Sequence, residues 1–402
     1  MTRVVVISAE PVGESMLGSA IRAYELARAL APHGEVRLAA PEGGDGTADL
    51  EFARHDARAL RPLLERADFV ITQPPWPHVM AELRRSPARL VFDLYDPEPL
   101  ENLELLAGRR ALLRRGVATL TLDRFMAALR AGEHFLCASE SQRALYIGML
   151  LGERLLPPRA YDADPTLRSR LSVVPFGVSD TPPGTPSPGP RELLDLDGEL
   201  VLWNGGLWPW LDAPTAIRAV TALDRDATLL FMGGGRALEE ARAVAGDHPR
   251  VVFNAGWVPY ERRAAWLNQA DCAISTHRDH LETRFAFRTR LLDCFWAGLP
   301  IVATSGDDLA ARVEQDDLGA TAPPGDVAAT AAALERVLDR GRDAYGPALA
   351  ATAEQFRWSR VVAPLVAWLQ DPPPRRARSL PPQPRDVAFR AALRVLGRWP
   401  SL

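Results

Sequence analysis

The chain contains no lysine: all 47 basic side chains are arginine. That excludes Schiff-base chemistry on lysine and any phosphate loop built around one. Whatever anion the protein holds must be held by guanidinium, backbone N–H or histidine. Cysteine is scarce. Cys137, Cys272 and Cys294 lie far apart, each beside apolar residues and without a Cys-x-x-Cys spacing. They read as buried free thiols of a reducing compartment, not as a disulfide frame or a zinc site. No apolar run is long enough to span a bilayer. A strong excess of one charge is lacking too. A net charge of -4 argues against a general binder of nucleic acid or membrane surface. The opening "MTRVVVISAE" has the β-branched run of a strand rather than the charged-then-apolar order of a leader. A cytoplasmic setting is therefore expected.

What is present is a long alternation. A chain of 402 residues that is 47% hydrophobic suits two globular domains. "RVVVISAEP" predicts a strand, "GSAIRAYELARALAPHG" a helix, and "EVRLAAP" the next strand, which together make a βαβ unit. "DFVITQP", "RLVFDLYDP", "HFLCASE" and "LSVVPFG" continue the strands, with helical patterns over 100–131 and in "QRALYIGMLL". "TPPGTPSPGP" (181–190) then breaks the pattern and reads as a linker. Alternation restarts with "LVLWNGG", "TLLFMGGG", "VVFNAGWV", "CAISTH" and "PIVATS", helices standing between them, one of them over 286–297. A helical pair at 327–370 follows. After the breaker "DPPPRRARSLPPQP" comes one amphipathic helix, "DVAFRAALRVLGRW". The fold class is α/β. Residues 1–178 make one Rossmann-like domain, 179–194 a linker, 195–370 a second such domain, and 371–402 a proline-rich segment with a terminal helix. Parallel sheets bind ligands at the carboxyl ends of their strands, so two facing domains imply a cleft between them.

Five motifs in order resemble a known family. They are "VVPFGV" (173–178), "LWNGGLWPWLDAPTAIRA", "FMGGG", "VVFNAGWVPYERRAAWLNQAD" and "DCFWAGLPIVAT", preceded by the glycine loop and helix of "GSAIRAYELARAL". This order is similar to that of retaining, nucleotide-sugar-dependent glycosyltransferases of the GT-B fold, the family-four type, as a divergent subgroup. The resemblance implies an acceptor-binding first domain, a donor-binding second domain and a nucleotide diphosphate sugar as co-substrate. It implies no bound cofactor or metal, and no nucleic-acid partner. It also implies the sites. Gly18, Ser19 and Arg22 open the first-domain helix toward the cleft. Gly205, Gly206, Gly233 and Gly234 let the donor approach the backbone. Trp257 and Val258 flank the base.

The departures from the family pattern reassign the remaining contacts. Its first glutamate falls on Phe285, with Glu282 upstream, and its second acid is Asp293. The arginine and lysine that usually follow the first glycine loop are replaced by Gly206 and Leu211. Arg288, in the first turn of a helix starting near Ala286, and Arg284 are expected to supply the missing cations, since a first-turn arginine is unfavourable unless an anion sits nearby. Phe287 lies between them in the donor set. Arg290 instead is expected to pair with Asp293 three residues on. Asp293 is expected to accept from ribose hydroxyls. Asp96, Glu282 and His277, at or near strand ends, are the candidates that position sugar and acceptor. His134 ranks lower, because it precedes its strand. Two other functions fit the same fold: a coupling enzyme or epimerase acting on nucleotide sugars, and a non-catalytic nucleotide-sugar-binding protein.

Overall fold

The computed structural model describes residues 1–44, 50–55, 59–184 and 188–375. The terminal helix expected over 386–399 lies outside these. Short runs of β-branched and aliphatic residues build two sheets, and every strand pairing in both is parallel. The first sheet has β1 (Arg3–Ile7), β2 (Glu35–Ala40), β3 (Glu51–Arg54), β4 (Phe69–Thr72), β5 (Arg89–Asp93), β6 (His134–Cys137) and β7 (Leu171–Val173). Its order is β3-β2-β1-β4-β5-β6-β7. The second has β8 (Glu199–Trp203), β9 (Ala227–Phe231), β10 (Val251–Phe253), β11 (Cys272–Ser275), β12 (Ile301–Thr304) and β13 (Gly319–Ala322), in the order β10-β9-β8-β11-β12-β13. β4, β5, β6, β9, β11 and β12 are buried at every position. Strands covered on both faces need such continuous apolar runs.

In each sheet the order reverses beside the first strand, at β1/β4 and β8/β11. Crevices open at these switch points, outside the carboxyl ends of the strands. The Gly18–Leu30 helix starts at the first crevice, and the Thr289–Trp296 helix follows β11 at the second.

The domain division differs from expectation at its end. The Trp358–Val361 and Ala363–Gln370 helices, expected in the second domain, return to the first. Trp368 stacks on His134 at 4.5 Å, meets Phe69 edge-on at 5.7 Å, and donates to the Ser169 carbonyl at 3.0 Å. Trp358 lies on Gly177, where an added Cβ would sit 2.5 Å from the indole. The glycine of "VVPFGV" thus admits a ring from 181 residues further along the chain. A pattern of helical spacing carries no information on which sheet a helix will cover, so the periodicity of 327–370 could not reveal this return.

Candidate functional site

A cavity of about 420 Å³ lies between the domains. From the first domain it is lined by Ser15, Met16, Leu17, Gly18 and Ile21. From the second, the strand-end loops bring Asn204, Gly205, Gly206, Met232 and Gly233, and the segment after β10 brings Trp257, Val258, Tyr260 and Arg263. Thr289, Arg290 and Asp293 come from one helix. Of the expected donor residues, Gly18, Gly205, Gly206, Gly233, Trp257, Val258 and Asp293 therefore share one cavity. Gly206 has no room for a side chain: a Cβ would lie 2.9 Å from Trp257, 3.1 Å from Trp208 and 3.2 Å from the Gly234 carbonyl.

The electrostatics of this cavity favour an anion. The Gly18–Leu30 helix has no side-chain cap and no acid in its first turn, so its N-terminal N–H groups and dipole face the space unneutralised. Opposite stands Arg290. Its Nη2 donates to the Gly206 carbonyl at 3.0 Å, and its guanidinium lies 5.4 Å from the Trp203 ring centre. Its Nη1 is buried with no partner among the described residues. Burial, and then the neighbouring Arg288, push the Arg290 pKa down to about 10. Asn204 donates to the Arg290 carbonyl at 2.7 Å, and its own Oδ1 is likewise buried and unpartnered. Buried donors without partners are costly, so a site that keeps one is built for something that supplies the acceptor.

Arg290 and Arg288 exchange the roles expected of them. The helix starts at Thr289, not near Ala286, and a short 3-10 turn over Leu281–Arg284 precedes it. Arg288 is thus the residue before the helix, with φ -74° and ψ 74°. It points away from the cavity into a buried ion pair with Glu282 at 2.9 Å, with Asp307 at 3.9 Å. The three-residue shift puts Arg290 in the first turn, so the physical reason given for Arg288 applies to Arg290. Arg290 does not pair with Asp293. That carboxylate takes Arg263, whose Nε donates to Oδ1 at 3.2 Å. Arg263 is sandwiched by Tyr260 at 3.7 Å and Trp296 at 4.8 Å, and Tyr260 donates to Glu25 of the first domain at 2.9 Å. This chain from Asp293 to Glu25 ties the cavity floor to the first-domain helix.

Several other expected donor residues lie elsewhere. Arg22 is wholly buried: it binds Asp93 at 2.5 and 2.9 Å and the carbonyls of Val174 and Pro175, so it neither reaches the cleft nor pairs with Glu25. Arg284 is exposed outside the cavity. Phe287 packs toward Phe356 at 6.4 Å. Ser19 and Gly234 do not line the space, although the Gly234 carbonyl accepts from Leu207 N–H at 2.9 Å behind it.

The candidates for sugar and acceptor gather at a second place. Asp96 follows β5 and lies beside Glu101. Burial, with help from Asp93 and Glu282, pushes Asp96 up to about 6, and burial with Asp96 pushes Glu101 well above the usual carboxylate range. Two carboxyls in contact cannot both ionise readily, so the pair retains a proton near neutral pH. Gln142 clamps this seam, donating to the carbonyls of Tyr95 at 2.6 Å and Phe285 at 2.8 Å. His277 is correctly placed just past β11 but is fully buried behind the cavity. Both its ring nitrogens lack partners among the described residues, and burial with Arg288 and Arg290 holds it neutral. That contradicts a direct role at the reacting atoms. His134 is also buried, and burial lowers its pKa to about 3. A separate cavity of about 450 Å³ opens in the first domain, with Ser8, His55, Thr72, Trp76 and His78 in its wall. The β1-to-helix loop therefore borders both cavities, at Ser8–Ala9 and at Ser15–Leu17.

Sequence reasoning missed Arg290, Arg263, Asn204, Tyr260 and Glu101. Only for Arg290 was there a usable signal, because moving the helix start places it in the first turn. The others depend on partners from distant segments.

Residues 198–340 match the family model of group 1 glycosyl transferases. None of the curated proteins matches the chain. Among solved structures, sucrose-phosphate synthase from Thermosynechococcus elongatus superposes with a TM-score of 0.62 at 16% identity, over 92% of this chain and 98% of that one. WaaG, a glycosyltransferase involved in lipopolysaccharide biosynthesis, gives 0.62 at 15% identity, over 92% and 100%. HepE from Anabaena, solved with UDP-glucose, gives 0.61 at 15% identity, over 91% and 98%. The chain has the two-domain GT-B fold of these structures, and its residues 198–340 match the group 1 glycosyl transferases.

Proposed function

We propose that the chain transfers a sugar from a nucleotide diphosphate sugar to an acceptor, with retention and without a bound metal. The observation that carries this is one cavity lined by Arg290 on one side and by an uncapped helix N-terminus on the other. Together they neutralise a diphosphate with no cation other than the protein's own. Trp257 and Val258 flank the base, and Asp293 accepts from the ribose, its remaining oxygen free of Arg263. HepE, solved with UDP-glucose, supports a donor of this kind.

Asp96 and Glu101, partly exposed past β5, then position the transferred sugar and the acceptor hydroxyl. The first-domain cavity, one loop away, receives the acceptor. In retaining transfer on the face of the departing group, the diphosphate takes the acceptor proton. The protein's share is fixed charge, with no strong base required. Glu282, buried against Arg288, fixes that arginine and does not meet the sugar. The setting is cytoplasmic.

Thermal-shift titration tests the donor site. Nucleoside diphosphates should raise the melting temperature more than the matching nucleosides, by mass action on the folded state. Equal shifts for both would leave the diphosphate site without support.

A further inference from the structure

The Ala111–Ala131 helix carries a second unneutralised feature. Its later part is anchored: Thr121, Phe125, Ala128 and Leu129 are buried against the first domain. Its first six residues, 111–116, are all exposed. The tip reads "RRALLRRG" (109–116). Leu112 is 87% exposed and Leu113 43%. Arg109, Arg110, Arg114 and Arg115 surround them, and among the described residues none of the four forms an ion pair.

Two costs are combined here. Leucines are left in water, and arginines crowd the positive end of a helix that has no acid in its first turn. An anionic, partly apolar surface removes both, since the leucines enter its boundary while the arginines meet its charge. The position matters as well. β5 ends at Asp93, and this helix returns the chain to the start of β6 at His134. Its N-terminus must therefore lie on the carboxyl-end side of the first sheet, the side of the cleft. The Glu98–Leu105 helix, which bears Glu101, is packed beside it.

We propose that this tip docks on an anionic lipid bilayer and holds the mouth of the cleft against the membrane, so that the acceptor is one carried by a lipid. The net charge of -4 excludes a general surface binder but not one basic, apolar tip on an otherwise acidic protein. The docking stands on the tip alone. The lipid-borne acceptor rests on the function proposed above.

The test is co-sedimentation of the full chain with vesicles of phosphatidylcholine alone or mixed equally with phosphatidylglycerol, without donor or acceptor. The protein should pellet with the mixed vesicles and not with the neutral ones. Leu112→Asp, and separately Arg110→Glu with Arg115→Glu, should each lower partitioning by about tenfold or more. Arg110→Glu places an acid at a helix N-terminus, which favours the fold, so an undiminished melting temperature separates docking from unfolding. No binding to mixed vesicles overturns the proposal. So does binding that both variants retain, which would place the contact elsewhere. A concentration-dependent dimer abolished by the same variants would assign the tip to a second copy of the chain. Nucleoside diphosphate affinity, measured on the same samples, reports on the donor site independently.

Discussion

Replacing Arg290 with methionine should move stability and binding in opposite directions. The change keeps an apolar stem near the Trp203 ring and removes the guanidinium. In the free protein, the loss is one hydrogen bond to the Gly206 carbonyl and a cation–π contact. The charged hydrogen bond is worth about 1.5–3 kcal/mol and the cation–π contact about 0.5–2 kcal/mol. The gain is removal of a buried donor without a partner, which costs about 1–3 kcal/mol, and of a positive charge held close to Arg288. These nearly cancel, so the melting temperature should change little. Binding has no such compensation. A charged hydrogen bond to a phosphate oxygen contributes about 1.5–3 kcal/mol, so nucleoside diphosphate affinity should fall by about 10- to 140-fold. Nucleoside affinity should stay constant. Arg290→Lys should not restore the diphosphate preference, because an ammonium cannot hold both the Gly206 carbonyl and a phosphate oxygen in the same fork. Calorimetric titration of both ligands into both variants, with melting curves, supplies every quantity needed. A large loss of stability with an unchanged diphosphate-to-nucleoside ratio would refute the reasoning and make Arg290 a packing residue.

Asp293→Asn should weaken nucleotide binding by a similar factor, and the difference should nearly vanish for a ligand lacking both ribose hydroxyls; an unchanged ribose preference removes Asp293 from the site. Asp96 is raised to about 6, so between about pH 4 and 6 the native state keeps a proton that the unfolded chain has lost, and stability falls with rising pH. Relative to wild type, Asp96→Asn should therefore gain about 1–3 kcal/mol across that window and hold it above; parallel melting profiles would show that Asp96 is not the titrating group. Arg342 donates to the carbonyls of Leu267, Asn268, Ala270, Ala297 and Gly298. Arg342→Met should cost about 2–4 kcal/mol in urea unfolding without altering the ratio of diphosphate to nucleoside affinity. Transfer should survive excess chelator; activity lost on chelation and restored by magnesium would contradict the assignment of neutralisation to Arg290 and the helix terminus.

The sequence by itself determined the alternation of strands and helices, the break between the two units and the glycine-ended loops, because these depend on side chains within a few residues of one another. "FVIT", "RLVFD" and "CAIS" are buried on both faces and can be little else than central parallel strands. β3 and β13 were not legible. "EFAR" and "GATA" are short, only partly buried edge strands, and they pair because a neighbour offers its edge. The site followed the same division. Glycines 18, 205, 206 and 233 line the cavity as their loops suggested, since a strand-end glycine loop announces itself locally. Which arginine faces the cavity could not. The helix starts where Arg288 leaves helical geometry to meet Glu282 and Asp307, and that start alone decides that Arg290 points inward. Asp293 finds Arg263 from 30 residues away, although Arg290 stood three residues off. Partner choice among buried charges is settled by which segments the fold brings together and which pairs it can desolvate. Spacing along the chain does not encode that.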